Sequence, residues 1–487
     1  MSNLPSTWAV ASLGELSLDC QQAVPKPDAR ITYIDISAID RDRKVISSPQ
    51  EMLGKDSPSR ARKIVKTGDT LVSMTRPNLN SVAAVGQEYD GCVASTGFDV
   101  LRPNGVEPRW LSYLVRTASF VDEMSSLVQG ALYPAVRSKD VRAHIVPVAP
   151  LAEQKRIADK LDTVLARVDA CRDRLDRIPT ILKRFRQSVL AAATSGQLTA
   201  DWREKNSASP LLRTAKFGLP TGYKRLKKKS FVMRPVDHPA IELPASWTLF
   251  TVADLYEMGA IIDFADGNHG SLYPRSEDFD GKGTLFLTAT QIDENWNVAI
   301  GDCPRLSNEK SRSLVKGWAK SGDVLLTHNA TVGRVGLLEN VEEDVLLGTS
   351  VTFYRLNEAA VSPRYLRLFF SSYFFQQQLA SLMAQTTRDQ VPITTQVSLN
   401  VICPPITEQM EVARRVETLF AFADRLEARV IAARESADRL TPALLAKAFR
   451  GELVPQDPND EPAAELLKRL ADSKNGEDKP KRGRKRA

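Results

Sequence analysis

Cysteine and histidine are scarce in this chain: five Cys and four His among 487 residues. Cys20, Cys92, Cys171, Cys303 and Cys403 are scattered, odd in number and without a CxxC pair. That argues against a disulfide framework and against a structural zinc, and it fits a reducing cytoplasm. No segment approaches ~18 consecutive apolar residues, so no transmembrane helix is expected. The start, MSNLPSTWAV, lacks the basic region and apolar run of a secretion signal. Catalytic signatures are missing too. There is no GxxxxGK[ST] phosphate loop and no FxGxG; no [ND]PP[YF] holds a target base, and CPPI at Cys403 is not one. One loose nuclease-like pattern exists, Asp28 followed by Asp42 and Lys44, where a carboxylate pair plus lysine could hold Mg²⁺. Its matching place in the second half carries Asn295 and Asn297 instead.

What is present is length, charge and a repeat. The length suggests about three units. Hydrophobic content of 43% and charged content of 26% are those of a globular protein. The net charge of +7 and pI near 9.0 point towards nucleic acid without proving it. Part of the excess is local, in KRLKKK (Lys224–Lys229) and the ending KPKRGRKRA. Such runs either add non-specific attraction to phosphates or are solvated, mobile segments.

The repeat lies in LAEQKRIADKLDTVLARVDACRDRLDRI, from Leu151, and ITEQMEVARRVETLFAFADRLEARVIAA, from Ile406. The offset of 255 holds without a gap from Ala149–Leu198 to Pro404–Leu453, and 14 of the 50 pairs are identical. Ile157, Leu161, Val164, Leu165, Val168, Leu175 and Ile178 recur at helical spacing as one apolar stripe. Val412, Val416, Phe420 and Val430 fall in the matching stripe of the second copy. Pro150 and Pro405 precede the two helices, and Gly196 and Gly451 follow them as stop signals. Such a stripe must be buried. The copies are therefore expected to pair antiparallel in a coiled-coil-like contact, the alternative being two separate helices, each packed on its own domain. Pro179 has no counterpart and predicts a break or kink in the first helix.

The segments ahead of the helices correspond more weakly. LPSTWAVASLGEL (Leu4) matches LPASWTLFTVADL (Leu243), KTGDTLVS (Lys66) matches KSGDVLLT (Lys320), and VEPRWLSYLV (Val106) matches VSPRYLRLFF (Val361). The second half carries an insertion of about 14 residues near DFADGNHGSLYPRSEDFDGKG. Short apolar runs split by Gly, Pro, Asn and Asp read as strands and turns with a few helices. The fold class is mixed α+β: two related α/β domains separated by two long antiparallel helices. The expected organisation is a first domain over residues 1–148, a helical region over 149–203 and a linker over 204–240. A second domain over 241–403, a helical region over 404–455 and a polar, basic tail over 456–487 follow, with a short helix at AAELLKRLADS and disorder beyond it.

The candidate recognition residues sit in loops at equivalent places of the two halves. After GDTLVS come Arg76, Asn78 and Asn80; after GDVLLT come His328, Asn329, Thr331 and Arg334. Just before each long helix stand Tyr133, Arg137 and Lys139 in one half, and Arg388, Gln390 and Thr394 in the other. Arg pairs well with guanine edges and Asn with adenine edges, although Asn, Gly and Thr also serve ordinary turns. The two halves carry different residues at the same place.

On these residues the chain resembles the specificity subunit of type I restriction–modification enzymes. PLAEQKRIADKLDTVLARVD and PPITEQMEVARRVETLFAFAD look like that family's two helical regions, and TGDTLVS and SGDVLLT like the matching parts of its two target-recognition domains. The resemblance spans about residues 1 to 460. It implies a non-catalytic subunit that reads an asymmetric, two-part DNA target. The helix pair fixes the gap: about 27 residues span roughly 40 Å, close to one DNA turn of about 34–36 Å. It also implies docking of two modification subunits that bind S-adenosylmethionine and methylate adenine. Restriction subunits would then add ATP- and Mg²⁺-dependent translocation and cleavage, with no cofactor on this chain. The rival readings are a coiled-coil scaffold that binds only proteins and a self-sufficient nuclease.

Overall fold

The computed structural model describes residues 4–128, 134–206, 209–211, 213–221, 231–268, 273–385 and 389–477. The chain forms two compact units. One runs up to Arg177 and resumes at Val430; the other is Ile178–Arg429. Among the described residues no helix is long and apolar enough to cross a membrane.

In the first unit Ala9–Ser12 pairs antiparallel with Ile145–Val148, bringing the start and end of the first domain together. Between them lie two four-stranded sheets. One runs in the order Gln50–Leu53, Arg30–Ile34, Val93–Ser95, Ala61–Ile64, and the other Ser17–Leu18, Phe98–Pro103, Thr70–Ser73, Val82–Ala84. The second unit repeats this plan. Thr248–Thr251 pairs with Asn400–Cys403. Its sheets run Ile261–Asp266, Val351–Leu356, Val324–Thr327, Val335–Leu337 and Arg305–Leu306, Phe279–Leu287, Val345–Leu347, Trp318–Ala319. Thr70–Ser73 and Val324–Thr327 are buried at every residue, so they do not show the alternation of a half-buried strand. The extra length of the second half shows as an irregular register: Phe279 and Thr284 both face Leu306.

Short helices Pro108–Leu114 and Pro363–Phe370 each open with proline. The missing N–H costs nothing there, because the first helical N–H groups have no partner in the helix anyway. They bury Trp110 and Tyr365.

The long helices are Leu151–Thr194 and Ile406–Ala448. Their pairing is visible within each unit. In the first, Arg172 Nε donates to Asp438 Oδ1 at 3.0 Å and Arg434 reaches Asp176 at 2.9 Å. Rising numbers on one helix meet falling numbers on the other, so the two run antiparallel. In the second unit Arg186 donates to Asp424 at 2.7 Å and to Glu427 at 2.8 Å. Exposed ion pairs contribute little; burial carries the association. Ile157 and Leu161 are fully buried in the core of the first domain, joined there by Leu445, Ala448 and Phe449 from the end of the other helix. Val412 and Val416 are buried likewise in the second core, joined by Val189, Leu190 and Ala193. Each domain thus packs on the start of its own helix and on the end of the other one. Val168 is buried, whereas Leu165, Leu175, Phe420 and Val430 are partly buried.

The expected break at Pro179 does not occur: the first helix runs through it, and the second runs through Pro442. Both prolines are exposed. A proline removes one hydrogen bond and its ring crowds the carbonyl four residues back. On an exposed face water satisfies that carbonyl, and the paired helix holds the axis. Gly196 and Gly451 end the helices with φ of +82° and +77°, the left-handed conformation that suits glycine. A Cβ on either would stand 2.5 Å from Cγ of Pro244 or Pro5.

Two segments outside the repeat add to the cores. Ala463–Glu477 is helical and buries Ala463 and Leu466 against the first domain; residues beyond it lie outside the described ones. In the expected linker, Phe217, Phe231 and Val236 pack on the second domain, and Phe217 N donates to Met258 O at 2.7 Å. The KRLKKK run lies outside the described residues.

Candidate nucleic-acid interface

The KxGD turn is a clamp in both halves. Asp69 accepts from Lys66 N at 2.8 Å and takes Arg102 at 2.9 and 2.7 Å. Asp323 accepts from Lys320 N at 2.8 Å and takes Arg355 at the same two distances. A bidentate arginine–carboxylate pair has directional strength as well as charge. It fixes one end of the strand whose other end carries the candidate loop.

That loop is clasped to the segment preceding the long helix. In the first unit Arg76 N donates to Pro134 O at 2.8 Å and Val136 N to Met74 O at 2.9 Å. In the second, Ala330 N donates to Asp389 O at 3.1 Å and Val391 N to His328 O at 2.9 Å. Arg76 and Ala330 both adopt left-handed backbone, with φ of +49° and +60°. Two candidate segments far apart in sequence therefore form one surface in each half, on the same backbone frame.

The side chains on this frame differ. Arg76, Asn78, Arg137 and Lys139 are exposed, and Asn80 is partly buried. The Asp140 carboxylate accepts from Arg137 N at 2.9 Å. In the second half Asn329 and Thr331 are exposed, while Gln390 and Thr394 are partly buried. Thr394 O accepts from Val232 N at 2.9 Å. Arg334 donates from Nη1 to Ile292 O at 3.1 Å, so its guanidinium braces a neighbouring loop. His328 is buried, with Nδ1 2.9 Å from Thr352 Oγ1. Tyr133 and Arg388 lie outside the described residues.

Several residues at the site give no local signal in sequence. Gln396 sits beneath the second loop, accepting from Tyr354 OH at 2.6 Å and donating to Thr352 Oγ1 at 3.2 Å and Val391 O at 2.9 Å. In the first half Lys44 Nζ donates to Asn80 O at 2.6 Å. Burial and then the nearby Arg116 push the Lys44 ammonium down to about 8. Lys44 thus braces the candidate loop. No group of three or more His, Cys, Asp or Glu among the described residues is arranged to hold a metal.

The EQ pair of each helix joins helix to domain. Glu153 accepts from Trp8 Nε1 and Glu408 from Trp247 Nε1, both at 2.9 Å. Gln154 accepts from Glu107 N at 2.9 Å and donates to Ala149 O at 2.8 Å. Gln409 repeats this with Ser362 N and Pro404 O, each at 2.9 Å.

Residues 5–180 match the family described as the type I restriction modification DNA specificity domain. The EcoKI specificity subunit of Escherichia coli strain K12 is 27% identical over 475 residues, covering 93% of the chain and 90% of that relative. The chain is thus similar to specificity subunits of type I restriction–modification enzymes. The EcoBI specificity subunit of Escherichia coli is 31% identical over 323 residues, 66% of the chain. That alignment spans 60% of the EcoBI subunit, less than two thirds of its length. The crystal structure of the HsdS subunit from Thermoanaerobacter tengcongensis matches with a TM-score of 0.61 and 26% identity, over 92% of the chain and 98% of that subunit. A chain solved in work on assembly and conformational transition of the type I R-M system matches at 0.66 and 23%, a likeness of fold. The coiled-coil scaffold and the stand-alone nuclease gain no support from these relatives.

Proposed function

We propose that this chain is a type I specificity subunit that reads a bipartite, asymmetric DNA sequence, each domain contacting one half and the paired helices setting the gap. The supporting observation is the duplicated clasp: one backbone frame presents Arg76 and Asn78 in one half and Asn329 and Thr331 in the other. A shared frame with different exposed donors and acceptors suits two readers of different base sequence. Phosphate contacts would set the register. Catalysis falls to partners in this reading. Two modification subunits bind S-adenosylmethionine and methylate adenine at N6 in an extruded base. Restriction subunits use ATP and Mg²⁺ to translocate and cut, and the complex works in the cytoplasm.

Half-exchange tests it. A chimera carrying residues 1–148 of another specificity subunit is assembled with modification subunits, and its methylated sites are mapped. The expected outcome is one changed half-site, with the other half and the gap retained. Change in both halves, or in neither, contradicts the proposal.

A further inference from the structure

In the first unit a cavity of about 600 Å³ opens between the loop bearing Lys44, the candidate loop at Asn80 and the long helices. Its cations are unevenly matched. Asp162 is already held by Arg109 at 2.7 Å and by Tyr113 OH; Asp169 and Asp438 are held by Arg172 at 3.3 and 3.0 Å. Arg116 and Lys44 form no ion pair among the described residues. The polar contacts of Arg116 are to Ser112 Oγ at 3.0 Å and the face of Tyr113, 5.0 Å from the ring centre. Its Nε is buried without a hydrogen-bond partner, as is Oδ1 of Asn80. Arg43 also lines it and is held by Asp173 at 2.6 Å, while Asp42 and Arg41 on the rim offset each other in charge. Burying cations without an anion is costly. Burial, the largest effect, pushes the Arg116 guanidinium down against the attraction of Asp162 and Asp169, and Lys44, also lowered first by burial, is repelled by Arg116 and attracted by Asp42 and Asp40.

A second opening shares Lys44, Asn80 and Arg116 with this cavity and is also lined by Asn78, so the pair adjoins the recognition surface. The matching places of the second half do not carry this pair. Asn297 stands where Lys44 would, bound to Asp293 at 2.9 Å, and Ser371 stands where Arg116 would, donating to Arg367 O at 2.9 Å.

We propose that Lys44 and Arg116 together hold one DNA backbone phosphate beside the Arg76–Asn80 loop, a clamp whose two residues have no counterpart at the matching places of the second half. The proposal rests on the DNA-reading function above. A phosphate would give both cations a direct ion-pair partner and offer acceptor oxygens to the unused Nε. It would anchor the first reader against the duplex, a positioning role without sequence information.

The test is the salt dependence of binding of the full chain to a labelled duplex of random sequence. Each lost phosphate contact lowers the slope of log affinity against log salt by about 0.9. Lys44→Gln and Arg116→Gln should weaken binding and flatten the slope by that amount or more. Arg116→Lys should keep the slope near wild type, and the exposed Lys160→Gln should leave it unchanged. Circular dichroism and thermal unfolding verify that each variant is folded. A steep wild-type slope that folded Lys44→Gln and Arg116→Gln leave unaltered overturns the clamp while the DNA-reading function stands. If wild type itself binds duplex with no salt dependence, that function fails and the clamp with it. Should Arg116→Gln not fold, the Lys44→Gln slope decides alone.

Discussion

The indole Nε1 of Trp8 donates to Oε2 of Glu153 at 2.9 Å, tying the first residues of a domain to the first turn of its long helix across 145 positions of sequence. Trp247 and Glu408 repeat the bond at the same distance. Both carboxylates are fully buried, and a buried charged acceptor that loses a donor is costly. Trp8→Phe should therefore destabilise the first unit by roughly 1.5–3 kcal/mol, and Trp247→Phe the second by a similar amount. Denaturant unfolding followed by hydrogen exchange resolves the units separately. Equal loss of protection in both units from either single substitution contradicts this assignment.

Asp69 and Asp323 anchor the arginines of neighbouring strands while closing their own turns. Both carboxylates are almost fully buried. Asp69→Ala leaves Arg102 without its carboxylate partner and should cost about 3–5 kcal/mol. A loss under 1 kcal/mol in equilibrium unfolding would mean that the clamp is not structural.

Gly451 has φ +77° and faces Pro5. Gly451→Ala combines left-handed strain, of roughly 1–2 kcal/mol, with a collision at the proline. The expected result is a lowered thermal midpoint for the first unit, and a neutral alanine would show that the helix ends otherwise.

Lys44 gives the pH dependence. Its folded value of about 8 lies below the ordinary 10.5, so between those limits the unfolded chain holds a proton that the folded chain has lost. Stability from this group therefore rises with pH across that window, by at most about 3 kcal/mol. Unfolding of wild type and Lys44→Met compared from pH 8 to pH 10.5 should show wild type gaining on the variant. Parallel curves would contradict the burial of this ammonium.

Much of the plan is written in local chemistry. The 255-residue offset, the apolar stripe through Ile157 and Leu161, and the glycines at 196 and 451 depend on neighbours within a few turns; the stripe is buried there and both glycines take the left-handed backbone. The loops at Arg76 and Asn329 were legible as matching places because the strands before them match. Their clasp to residues 134–136 and 389–391 was not, since backbone hydrogen bonds leave no residue signature. The same holds for Arg116, whose significance depends on Asp162 being taken by Arg109 and Tyr113. Pro179 misled because its cost depends on which side of the helix it faces. The polar-looking stretch after residue 204 hides Phe217 and Phe231, too widely spaced to read as an element, yet apolar enough to coat a domain.

The central claim is that two unlike readers on one repeated frame address one two-part sequence. Genome-wide mapping of methylated adenines, in a host carrying this chain with modification subunits, tests it most directly. The account predicts a single asymmetric motif of two short parts separated by a fixed number of unspecified bases, absent when the chain is deleted. A continuous or palindromic motif, a gap of variable length, or methylation that survives deletion of the chain would contradict it.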